Sequence, residues 1–357
     1  MAIESSPIES PDQCVNVNPQ STSAVRRPWW GTISLTADLL ALVYIGVIAA
    51  VASLTGAYYV LFPELGALSW DVMGQPGGRW ASSPVLLALT PALTGVVGTV
   101  VTRTMPYGFF SILITVIACV AIIRALRSPV APAISAGLLP LVLGVTSWWY
   151  PPGVLFGTTL LAVISIPWRR YATSAELNGP QVGTAADDQS SDAPAITPTG
   201  ATCTPARSTD GPRPSSRVMP VLLAFVAIAI VAVKVTGMRF ILFPPLVVIL
   251  YEMLSHPAHC RWIGRPIALP AACFLSAAGG YFFCTHMAFV PLAAMLSMAW
   301  GVAVLRALDL HMPPALAVAL LPMVMNQPTA GYPIAVGLGT TLASTWFVLF
   351  EKWCESR

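Results

Sequence analysis

The chain has 357 residues, 56% of them hydrophobic and only 9% charged, against about 25% charged in an ordinary soluble domain. So few charges cannot keep a globule of this size in water, which excludes a soluble domain. The formal net charge of +3 is small, and no basic stripe or aromatic-plus-arginine platform accompanies it, which excludes nucleic acid as a partner.

Residues 1–28 are polar, with Pro, Ser and acidic side chains, and the first apolar block begins only near Ser34. A cleavable signal would place its apolar region directly after a short basic start. This stretch therefore reads as a disordered cytoplasmic N-terminus, with membrane entry through the first helix.

Residues 29–170 carry six apolar segments, near 34–55, 56–69, 84–102, 107–125, 130–147 and 150–167. Blocks of about 20 residues match a hydrocarbon core about 30 Å thick. Residues 171–217 are rich in Ser, Thr, Pro, Gly and Asp without apolar periodicity and read as a disordered cytoplasmic linker. Residues 218–353 carry six more segments, near 218–236, 239–254, 267–284, 286–305, 314–326 and 332–350.

The two runs match each other. Leu61-Phe62-Pro63-Glu64-Leu65 corresponds to Leu242-Phe243-Pro244-Pro245-Leu246, and one extra residue in the next loop then fixes a constant register. In that register Arg79-Trp80 matches Arg261-Trp262, Arg124-Ala125-Leu126 matches Arg306-Ala307-Leu308, and Leu138-Leu139-Pro140 matches Leu320-Leu321-Pro322. Tyr150-Pro151 matches Tyr332-Pro333, and Gly157-Thr158-Thr159-Leu160 matches Gly339-Thr340-Thr341-Leu342. A register held this long points to internal duplication.

Segments two and five of each run are short and interrupted by Pro63, Pro140, Pro244, Pro245 or Pro322. They are either kinked spans or re-entrant half-helices enclosed by protein. Basic residues separate the two. If every segment crosses and the N-terminus is cytoplasmic, only Arg103, Lys234 and Arg239 fall on the far side. If segments two and five turn back, the split is nearly even. The positive-inside rule prefers the first arrangement. The expected fold is an all-α polytopic membrane protein, two parallel repeats of about six segments, with N-terminus, linker and C-terminus cytoplasmic in a cell or inner membrane.

Ionisable groups inside apolar blocks are costly unless they face protein or a water path. The candidates are Asp38, Glu64, Lys234 and Glu252, with His286 and His311 near segment ends. Glu64 is the most interior, and its counterpart is Pro245, so its charge is unmatched. It acts in ion coupling or gating, or it satisfies backbone groups freed by Pro63 or sits protonated in a polar pocket. Asp38 suits the start of a helix. Asp71 and Glu252 correspond to each other as solvated loop charges or partners of Arg79 and Arg261.

Gly157-Thr158-Thr159 and Gly339-Thr340-Thr341 lie about two turns into segment six of each run. Their hydroxyls suit a weakly hydrated anion, and their small size equally suits helix packing. His311, Arg306 and the helix opened by Pro313-Pro314 form either a positive cytoplasmic vestibule or a helix boundary at the headgroups.

His256, His259 and Cys260 are compact but match no strong ligand spacing, so no metal and no cofactor is expected. The seven cysteines are scattered, with no CxxC pair, and read as free thiols. No Ser/His/Asp set, phosphate-binding glycine loop or zinc-protease motif occurs, so no enzyme is expected.

Leu310-His311-Met312-Pro313-Pro314-Ala315, followed by Ala319-Leu320-Leu321-Pro322, resembles the signature of the HPP family of integral membrane proteins, His-Pro-Pro-Ala and then Ala-Leu-Leu-Pro. Ser255-His256-Pro257-Ala258-His259-Cys260-Arg261-Trp262-Ile263-Gly264 is similar to a second segment of that family. The resemblance covers about 240–350 and extends weakly to 60–165. Met312 separates His311 from the two prolines, and the first run has Ser128-Pro129-Val130-Ala131-Pro132 with no His, so the chain looks like a divergent, duplicated relative. The resemblance implies passage of a small solute, with a small inorganic anion such as nitrite as its class. The expected partners are the lipid bilayer and that solute. The alternative is a non-transporting scaffold or sensor that docks partners through the linker.

Overall fold

A computed structural model describes residues 32–177, 215–257, 260 and 262–355; the expected disordered tail at 1–28 lies outside them, as does most of the expected linker. Among the described residues twelve α-helices follow in order. They are α1 (Thr32–Thr55), α2 (Glu64–Gly74), α3 (Pro84–Thr104), α4 (Phe109–Ala125), α5 (Ala133–Leu143), α6 (Tyr150–Leu177), α7 (Ser215–Thr236), α8 (Pro244–Ser255), α9 (Ala268–His286), α10 (Val290–Ala307), α11 (Pro314–Leu320) and α12 (Gly331–Glu355). α6 continues past the expected linker boundary at 170 to Leu177. No strand occurs among the described residues.

Seven helices, α1, α3, α6, α7, α9, α10 and α12, are long and apolar enough to cross a membrane. Their outward faces are also apolar. Leu35, Leu39, Val43 and Val47 form an exposed stripe along α1 at a spacing of four residues, and Val85, Leu89, Leu93, Val96 and Val100 form another along α3. Such contiguous apolar surface is untenable in water and is what lipid requires. The chain is an integral membrane protein.

α2, α5, α8 and α11 are different. At 11, 11, 12 and 7 residues they are at most about 18 Å long, well short of the hydrocarbon core. Prolines set their limits. α2 starts only after Pro63, so residues 56–63, expected within an apolar segment, form a turn and a short 3-10 element at Tyr58–Val60. α11 gives way at Leu321–Val324 to 3-10 geometry around Pro322. All residues of α8 and α11 are buried, as are nearly all of α2 and α5. The short helices are the centre of the molecule and the longer ones enclose it.

Contacts between the two runs have counterparts. α1 packs on α10, and α7 on α4; α2 packs on α11, and α8 on α5. Local geometry recurs as well. Gly98 of α3 sits so close to the Gly137 carbonyl of α5 that a Cβ would collide with it, and Gly280 of α9 has the same relation to the Ala319 carbonyl of α11. Arg127 and Asp309 both take left-handed backbone angles just after α4 and α10.

The tyrosines opening α6 and α12 answer a need created by proline. Pro140 has no N–H to give the Ala136 carbonyl four residues earlier, and Pro322 leaves Val318 in the same state. The Tyr150 hydroxyl donates to Ala136 O at 2.7 Å, and the Tyr332 hydroxyl to Val318 O at 2.7 Å. Tyr150→Phe or Tyr332→Phe is expected to cost about 1–3 kcal/mol by leaving a buried acceptor unmet. The check is a lower melting temperature in detergent than for a Tyr58→Phe control, Tyr58 being half exposed.

Helix ends collect at two poles. At one pole, Trp168 Nε1 of α6 donates to Met73 O of α2 at 2.7 Å, and Arg265 donates to Leu308 O beyond α10 at 3.2 Å. At the other, Arg103 closing α3 donates to Thr146 O after α5 at 2.6 Å, and Arg239 lies 4.6 Å over the Tyr107 ring. The 3-10 element before α2 also packs on α6 near Gly153, at this second pole. α2 therefore leads from the second pole to the first.

Candidate functional site

The first pole carries a recess of about 440 Å³, a size typical of small-molecule pockets. It lies among the C-terminal ends of α2 and α8, the loops that follow them, and the approach to α11. Asp71, Gln75, Arg79, Glu252, His311 and Pro313 are among its lining residues.

The groups around it are paired. His311 Nε2 lies 3.0 Å from Asp71 Oδ1 and 2.9 Å from Gln75 Nε2. The His311 ring also stacks on Trp70, with centroids 4.7 Å apart. Trp70 Nε1 in turn donates to Asp38 Oδ1 at 2.8 Å, and Asp38 Oδ2 pairs with Arg306. On the opposite wall Arg79 Nη2 lies 3.1 Å from His256 Nε2, and Arg79 Nη1 lies 3.9 Å from Glu252 Oε2. A guanidinium only donates, so His256 Nε2 accepts there. That places the proton of a neutral His256 on Nδ1, which faces Glu252 Oε2 at 3.4 Å.

Asp71–His311, Arg79–Glu252, Arg79–His256 and Asp38–Arg306 all join a residue of the first run to one of the second. These four pairs thus tie the two sets of helices together.

Several sequence expectations change here. The positive vestibule does not form. His311 lines the recess, but Arg306 is neutralised by Asp38 outside it, and two carboxylates share the lining with Arg79. Glu252 does partner Arg79; Asp71 partners His311 across the runs instead, and Arg261 lies outside the described residues. Asp38 serves a side-chain network in preference to its own helix end.

The Gly-Thr-Thr segments do not line this recess. Thr158 Oγ1 donates to Val154 O at 2.9 Å in its own helix and lies 3.1 Å from Ala88 O of α3, and Thr340 Oγ1 donates to Val336 O at 2.8 Å in its own helix. Thr159 and Thr341 are exposed on the outer surface. Gly157 packs on Leu65 and accepts the Tyr44 hydroxyl on its carbonyl at 2.8 Å, while Gly339 packs on Leu246 and the Ile241 carbonyl.

Lys234 is exposed in the last turn of α7, and His286 is exposed at the end of α9, stacked on Phe282 with centroids 4.4 Å apart. Of the compact trio, His259 lies outside the described residues. Burial pushes the Cys260 thiol up from its ordinary range, which makes it a poor thiolate donor. Among the described residues no group of three metal-ligating side chains comes together, and the thiols of Cys119, Cys260, Cys273, Cys284 and Cys354 are free.

Glu64 stands apart from the recess, 2% exposed in the first turn of α2. Trp70 is the residue that sequence reasoning missed. Its signal was an indole N–H, always in want of an acceptor, inside an otherwise apolar segment.

In comparisons with known proteins, no family model, no curated protein and no solved structure matches this chain. The likeness to the HPP family rests on the residues quoted for it alone.

Proposed function

We propose that this protein is a membrane transporter or channel-like protein for a small solute, with a small inorganic anion such as nitrite as the class implied by the HPP resemblance. In this reading the chain is a duplicated unit, two parallel repeats of six crossings, with the recess pole cytoplasmic. The observation that carries it is the mixed-charge recess of about 440 Å³ at the junction of the two helix sets, bordered by the Asp71–His311, Arg79–Glu252 and Asp38–Arg306 contacts, which cross that junction. Charges cluster beside apolar helices where solute and water must enter, and contacts that join two repeats are those that break when one rocks against the other. The fully buried short helices below the recess close the route in this arrangement. The route enters past Asp71, Arg79 and His311 and leaves out the Gly-Thr-Thr segments.

The test is solute flux into vesicles holding the purified full chain, measured against empty vesicles. Flux of nitrite or another small anion is expected, with Asp71→Asn and His311→Ala lowering it several-fold and Thr341→Val leaving it unchanged. A folded protein that passes none of the anions tried, charged or as the conjugate acid, overturns the reading. The scaffold alternative draws on the same closed centre and expects no flux.

A further inference from the structure

Glu64 sits among Leu61, Phe62 and Leu65, each fully buried, and neither of its carboxyl oxygens has a hydrogen-bond partner among the described residues. Around it pack α1, α6 and α11. The titratable groups that α1, α6 and the nearby α12 bring toward α2 are Asp38, Tyr44, Tyr150 and Tyr332; α11 has none. All are committed elsewhere: Asp38 to Trp70 and Arg306, Tyr44 to the Gly157 carbonyl, Tyr150 to Ala136 and Tyr332 to Val318. None is a cation, so among the described residues nothing packed around Glu64 offsets a negative charge on it. An isolated carboxylate in such surroundings is costly by several kcal/mol, whereas the neutral acid is tolerable.

The position is as telling as the burial. Two residues on, Gly66 packs directly against Leu316 and Leu320 of α11, across the junction of the two helix sets. Any movement of one set against the other alters the surroundings of Glu64. Its counterpart Pro245 cannot titrate, so the pair of repeats carries one such group.

We propose that Glu64 is a proton-binding site that couples solute passage to protons, neutral while the junction is closed around it and deprotonated when the route opens past it. This rests on the transport reading. Water on one side supplies H⁺, which forms the O–H bond of Glu64. On the other side that bond breaks, the electron pair stays on the carboxylate and the proton returns to water. A monovalent anion moving with one proton carries no net charge, and a protonated Glu64 does not repel it.

Two measurements test this on the full chain. Infrared difference spectra between the wild type and Glu64→Gln, in detergent at neutral pH, are expected to show a protonated carboxyl C=O band only in the wild type. A band from ionised carboxylate in its place overturns the proposal without reference to any solute. In vesicles, inward proton gradients are expected to speed wild-type nitrite and formate flux several-fold over empty-vesicle background. Glu64→Gln is expected to show the same flux with and without the gradient, and Glu64→Asp to keep gradient dependence with a displaced pH profile. Wild-type flux indifferent to the gradient, or gradient-driven flux in Glu64→Gln, overturns the coupling and leaves transport standing. No flux in a wild type that shows the acid band overturns transport and the coupling with it. If Glu64→Gln fails to fold, the wild-type and Glu64→Asp pH profiles decide: superimposable profiles overturn the proposal.

Discussion

Gly98→Ala and Gly280→Ala are each expected to destabilise the protein by about 3 kcal/mol, the upper end of the range for overpacking. At both positions the added methyl meets a backbone carbonyl, Gly137 O or Ala319 O. A side chain in the way can rotate aside, but a carbonyl moves only with its helix. Here the helices, α5 and α11, are held on all sides by the rest of the centre. The expected readout is a large fall in melting temperature in detergent and loss of monodisperse protein, with the double substitution leaving little folded material. Gly264→Ala is the control, since a Cβ there meets nothing within 4 Å. Equal melting temperatures for all three would mean that α3 and α5, or α9 and α11, do not approach as described.

The second large effect concerns Arg306. Its removal leaves Asp38 with Trp70 as its named donor, and both members of the pair are mostly enclosed, with side-chain exposures of 18% and 12%. Breaking a buried pair by deleting one partner costs about 3–5 kcal/mol, and the remaining exposure puts Arg306→Ala near the lower figure. Asp38→Asn keeps an acceptor for Trp70 and removes the charge. The double change, Arg306→Ala with Asp38→Asn, is therefore expected to be less damaging than Arg306→Ala alone. A double-mutant cycle on melting temperature checks this; strict additivity would show that the pair contributes nothing as a pair.

Where the sequence was informative, the reason was local. Long apolar blocks gave α1, α3, α9 and α10 to within a few residues, because a lipid-facing stretch must be apolar throughout its length. Prolines marked the short helices, though the start of α2 falls eight residues later than the apolar segment begins, since apolarity continues through a turn that Pro63 ends. Glu64 and His311 were legible as isolated polar groups in apolar surroundings. The contacts of the recess were not. Asp38 and Arg306 lie 268 positions apart, and His311 and Asp71 240 apart, so nothing in the neighbourhood of either residue foretells its partner. The Gly-Thr-Thr motif left two readings open for a complementary reason. A threonine hydroxyl in an apolar helix finds the carbonyl three or four residues earlier, a partner always available and invisible to any search for a ligand.

The ion pairs described between the two sets of helices sit at the recess pole, whereas the opposite pole joins them through Arg239 over the face of Tyr107. Dissolved ions reach the recess rim and compete there, but they have no access to the interior contacts. Raising ionic strength should therefore loosen the molecule first at the recess mouth, and the bilayer around it sets how far the parting runs.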